Sequence, residues 1–132
     1  MRWGWMLVAL LGAHVAWAHP HSAAETQADM NAAAQAALNV VEARMDSVLA
    51  ELTKRGAGHP AALARLKASQ TAWRAYRKAM LAAGYPDSKV EDSVAPMCRA
   101  WLAQRMAEQR IEELRALLQG VEGNVCRSPW PW

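Results

Sequence analysis

The sequence predicts an all-α fold, an antiparallel three-helix bundle with an irregular C-terminal tail. Three observations carry this. Apolar residues recur at steps of three and four, glycine and proline clusters cut the chain into three long segments, and no segment alternates as a strand would. Thr26-x-x-Asp29 reads as a capping box, and Met30, Ala34, Ala37, Val41, Met45, Val48 and Leu52 follow as one apolar stripe. Gly56 and Gly58 close that helix, and His59-Pro60 opens the next with proline in its preferred first turn. Leu63, Leu66, Trp73, Tyr76 and Met80 line the second helix until Gly84-Tyr85-Pro86 stops it. Ser88-x-x-Glu91 offers a second capping box for a short turn, and Pro96 belongs in the first turn of the third helix. Trp101, Ile111, Leu114 and Leu118 give that helix its apolar face, with Gly120 as its C-terminal cap. Trp73 and Trp101 are expected at the centre of the packing, each burying on the order of 200 Å².

The N-terminus points to export. Arg2 is the only charge before Glu25, Trp5–Leu11 is an apolar core, and Ala16-Trp17-Ala18 places small residues where a signal peptidase reads them. The apolar run falls short of the roughly 20 residues a membrane span needs, so no stable anchor is expected after cleavage. The organisation expected is a signal peptide at 1–18, one helical domain at 19–127 and a Pro/Trp tail at 128–132, in the periplasm or secreted. Without Arg2 the chain has 14 basic and 12 acidic residues, a net charge of +2, too small to imply nucleic acid. The distribution is uneven. No acid lies between Glu51 and Asp87, while Lys54, Arg55, Arg65, Lys67, Arg74, Arg77 and Lys78 crowd that interval. A basic middle helix between two more acidic ones, with ion pairs along the seams, accounts for this pattern.

Motifs for chemistry are missing. The chain has no Ser/His/Asp order, HExxH, Gly-rich phosphate loop or CxxC, so no catalytic residue, metal site or cofactor is expected. His19-Pro20-His21 would place an amine and two imidazoles together. Pro20 has no amide N–H to deprotonate, which removes the usual N-terminal copper geometry.

The order of several blocks is more telling than their composition. Met30-Asn31 comes first, then Gln70-x-x-Trp73-x-x-Tyr76-Arg77, then Leu102 and Arg110 within Leu102-Ala-Gln-Arg-Met-Ala-Glu-Gln-Arg110. This resembles the LprI-like lysozyme-inhibitor family of small secreted bacterial helical domains. The resemblance implies a non-enzymatic binding or inhibitor module whose partner is a protein, with lysozyme as the candidate. Related sequences carry cysteines at positions that are Ala33, Leu81 and Trp101 here, so packing would replace the usual crosslinks. Lysozymes are typically basic. Glu42, Asp46 and Glu51 are therefore the candidate acidic contacts, while Trp130 and Trp132 of the stiff Pro-Trp tail are candidate aromatic ones. That tail could instead fold over the bundle and cover exposed core. The alternative class is a structural or stress-related envelope protein gripping its partner through the basic helix or the tail.

Cys98 and Cys126 are the only cysteines, and an oxidising compartment favours pairing them. A helix from Cys98 to Leu118 rises about 30 Å. Eight extended residues return at most about 27 Å, and a disulfide spans about 5.5 Å. An intramolecular bridge is just within reach. An intermolecular bridge or two free thiols are the alternatives.

Overall fold

The computed structural model describes residues 26–86, 93–120, 123, 124, 126, 130 and 131. The expected signal peptide, His19-Pro20-His21, the Ser88–Glu91 box and Trp132 lie outside the described residues. Three helices follow in order, α1 (Gln27–Arg55), α2 (Pro60–Gly84) and α3 (Ala95–Gln119). The architecture is the expected all-α bundle.

Local chemistry sets the ends of these helices. The Asp29 N–H donates to Thr26 Oγ1 at 3.1 Å, and the Thr26 N–H donates back to the Asp29 carboxylate at 2.9 Å, closing the capping box of α1. The Thr26 hydroxyl also donates to that carboxylate at 2.7 Å, and together these donors hold the Asp29 carboxyl below its ordinary pKa. Gly56 caps α1, and its N–H donates to Leu52 O at 2.8 Å. Proline stands in the first turn of both α2 and α3. Gly120 follows α3 at φ 39°, a backbone conformation that favours glycine. The last turn of α3 would leave its carbonyls bare, and two distant groups satisfy them. The Trp130 N–H donates to Leu117 O at 2.8 Å, and Arg55 Nη1 donates to Leu118 O at 2.6 Å.

Side-chain size decides how the helices meet. Ala34 on α1 and Ala100, Ala103 and Ala107 on α3 are all buried, and α1 and α3 run closest together. Alanine lets two backbones approach at the short end of the usual 8–10 Å interaxial range. α2 stands farther from α1, separated by the larger Leu63, Leu66, Gln70 and Trp73. The main core joins Val41, Met45, Leu52, Leu66, Ile111, Leu114 and Trp130, and a second cluster at the other end joins Ala34, Leu38, Leu81, Ala100 and Ala103.

Several sequence expectations are corrected here. Trp101 is 54% exposed, and Tyr76 and Met80 also face solvent. Trp73 is half-buried at the edge of the main core rather than at its centre. Leu38, Leu81 and the alanines of α3 occupy the places assigned to those larger residues. Of the three positions at which the resemblance implies cysteine in related sequences, only Leu81 is buried, while Ala33 and Trp101 are exposed, so the packing expected there is met at one position alone. Cys98 and Cys126 are free thiols, half-buried and exposed respectively. The cause is where the tail goes. α3 continues unbroken to Gln119, and Trp130 is anchored beside Leu117, about 28 Å of helix rise from Cys98. The tail therefore caps the far end of α3 instead of running back to its start.

Candidate functional site

The block residues that set this sequence apart are spread over all three helices, and four of the eight, Asn31, Gln70, Arg77 and Arg110, act as polar joints at the seams. Asn31 sits near the start of α1, where it accepts from Gln27 Nε2 at 3.0 Å and donates to Ser93 O at 3.2 Å. The entry to α3 is thereby tied to the first turn of α1, with Met30 half-buried beside it. Gln70 is buried in the middle of α2. Its Oε1 accepts from Arg110 Nε at 3.2 Å, and Arg110 also reaches Ser69 Oγ at 2.7 Å and Glu113 at 2.8 Å. One guanidinium fork, largely covered, thus joins α2 and α3. Leu102 approaches Gly84, where a side chain added at Gly84 would meet Leu102 Cδ2 at 3.6 Å.

Arg77 forms the joint between α2 and α1. Its Nη2 donates to Glu42 Oε1 at 2.6 Å, and its guanidinium lies 5.4 Å from the Trp73 ring centroid. The lean toward the acids of α1 that the sequence implied is the one observed. Arg77 is 15% exposed and Glu42 37%, so the pair is more than a fully solvated surface contact. Arg77→Ala is expected to cost about 1–2 kcal/mol with the helical spectrum unchanged. Urea melts of Arg77→Ala, Glu42→Ala and the double variant check this, since a coupled pair must give a double-variant loss smaller than the sum. Additive losses would mean that the two side chains do not work together.

The remaining candidates separate. Glu42 is engaged by Arg77, on the α2 side of α1. Glu51 lies on the α3 side, 3.9 Å from Arg55, the residue that caps Leu118. Asp46 is exposed. The three acids therefore do not form one acidic face, because their spacing of four and five residues carries Glu51 round the helix. The seam pairs are fewer than the charge pattern implied. Arg77–Glu42 joins α1 to α2 and Arg44–Glu108 joins α1 to α3 at 3.7 Å, while Lys67 and Arg74 have no ion pair among the described residues. Trp130 is 7% exposed and packed in the main core, the tail-over-bundle arrangement rather than an exposed anchor. Sequence reasoning missed Gln70 as a buried polar residue. A lone amide on an apolar helix face, forty residues before an arginine in the next helix, gives no local signal.

The geometry defines a helical module whose distinctive residues hold it together. Among the described residues no group of three His, Cys, Asp or Glu side chains could hold a metal ion, and no helix is long and apolar enough to cross a membrane. The family model described as lysozyme inhibitor LprI matches residues 18–114, and the chain belongs to that family. That match takes in α1, α2 and most of α3, with all the polar joints just described. No curated protein and no solved structure gave a significant match.

Proposed function

We propose that this chain is an exported, non-enzymatic binding module of the LprI type, acting on a protein partner by surface complementarity, with lysozyme as that partner. Family membership across residues 18–114 is the observation that carries the reading. The structure supports it in one physical respect. Asn31, Gln70, Arg77 and Arg110 are consumed in joining helices, which leaves the module a stable scaffold whose work is done at its surface. Export follows from Ala16-x-Ala18 and the short apolar run before it. Against a basic enzyme the complementary groups are the exposed carboxylates of Asp46, which has no ion pair among the described residues, and Glu51, whose 3.9 Å contact with Arg55 is a loose surface one, whereas Glu42 is held at 2.6 Å by the largely covered Arg77. Trp130 contributes indirectly, as core.

Residues 19–132, purified and mixed with a basic lysozyme, should slow its clearing of a cell-wall suspension and saturate near one module per enzyme. Asp46→Lys combined with Glu51→Lys should weaken this at least tenfold, because like charges across an interface are strongly disfavoured. Unchanged lysis at tenfold molar excess of a folded module would rule lysozyme out as the partner.

A further inference from the structure

The wider spacing of α2 from α1 leaves a groove of about 400 Å³, lined by Leu49 and Thr53 on one side and Leu63, Leu66, Lys67, Gln70, Thr71 and Arg74 on the other. We propose that this groove binds a single-chain anionic amphiphile, its aliphatic chain on the leucines and its carboxylate between Lys67 and Arg74. The volume lies within the usual range for small-molecule sites, which combine an apolar lining with a few convergent polar groups. Leu49, Leu63 and Leu66 supply the apolar floor. Lys67, Thr71 and Arg74 follow at steps of four and three, so ammonium, hydroxyl and guanidinium rise from one edge of α2.

Two observations point to an anion. Lys67 and Arg74 lack an ion pair among the described residues, as do Lys54, Lys78, Arg99 and Arg105, but of these only Lys67 and Arg74 line the groove, beside its leucines. Two cations left unpaired beside an apolar floor favour a ligand that is negative at one end and apolar at the other. The second observation is Gln70, 7% exposed at the base of the groove. Its amide oxygen is taken by Arg110, but its Nε2 has only the Met45 thioether as acceptor, at 3.7 Å. Sulfur is a weak acceptor, and a buried amide donor gains from a better one. A carboxylate oxygen entering between Lys67 and Arg74 is such an acceptor. Hydrophobic burial of the chain and charge pairing of the head then act at opposite ends of one groove.

The site is independent of the lysozyme reading, because it uses cations of α2 rather than the acids of α1. The test is titration of the ¹⁵N-labelled chain, residues 19–132, with dodecanoate below its micelle threshold. Dodecyltrimethylammonium and dodecyl maltoside serve as cationic and neutral comparisons with the same chain. Dodecanoate should shift the amides around Leu49, Thr53, Leu66 and Arg74, and bind at least tenfold more tightly than either comparison. Lys67→Glu with Arg74→Glu, both at exposed positions, should abolish that preference while the helical spectrum stays unchanged. Thr71→Trp, which fills the groove from its rim, should block binding of all three probes. Equal binding of the three, shifts centred elsewhere, or no binding up to millimolar probe would each overturn the proposal.

Discussion

Trp130→Ala is expected to destabilise the bundle by about 3–5 kcal/mol, the range for removing a buried large aromatic side chain. A three-helix domain of this size has little stability to spare, so the loss should appear as a large fall in melting temperature. The ring is 7% exposed and belongs to the same cluster as Leu52, Ile111 and Leu114. The Trp130 backbone N–H donates to Leu117 O, so a tail that undocks when the ring is lost also reopens the end of α3. Gly56 provides an independent check. Its φ of −77° is open to any residue, so conformation does not call for glycine there. Space does: a Cβ would overlap the Trp130 ring, 2.9 Å from Cζ3 as well as against Cη2, and would stand 2.7 Å from Leu63 Cδ2. Gly56→Ala should therefore destabilise the parent protein but cost little in the Trp130→Ala background. A double variant whose loss equals the sum of the single losses would show that the ring does not sit against Gly56.

Helix ends were legible in the sequence because they depend on chemistry within a few residues. Thr26 and Asp29 cap each other, Gly56 closes α1, Pro60 and Pro96 sit in first turns, and Gly120 takes the positive φ. Which side of each helix turns inward was less legible. Residue size points to the large apolar side chains as core, yet the tight α1–α3 seam is built from alanines that propensity alone would place anywhere on a helix. Once Ala100, Ala103 and Ala107 define that seam, Trp101 is carried round to solvent. The tail was open for a related reason. Val121–Trp132 has no periodicity, and the mark of its destination is a glycine seventy-four residues earlier than Trp130 whose backbone does not require one. The candidate site divides in the same way. Arg77's partner could be inferred from charge, since acids precede the basic interval, whereas the Gln70–Arg110 joint depends on a register between helices that no local pattern encodes.

Leu114→Ala should cost about 2–5 kcal/mol, while Trp101→Ala, which removes a much larger side chain from the same helix, should stay within about 0.5 kcal/mol of the parent. Burial accounts for the contrast. Leu114 is 0% exposed and packed in the cluster of Val41, Met45, Leu52 and Ile111, whereas Trp101 is 54% exposed. Truncating Leu114 deletes apolar contacts on all sides and leaves a void that close-packed neighbours on three helices refill only in part. Truncating Trp101 returns a surface to water that was mostly there already. Urea unfolding followed by far-ultraviolet circular dichroism measures both, and equal slopes against denaturant would show that the unfolded states are comparable. A Trp101→Ala loss as large as that of Leu114→Ala would place Trp101 inside the bundle. The alanine seam between α1 and α3 would then have to open to admit it.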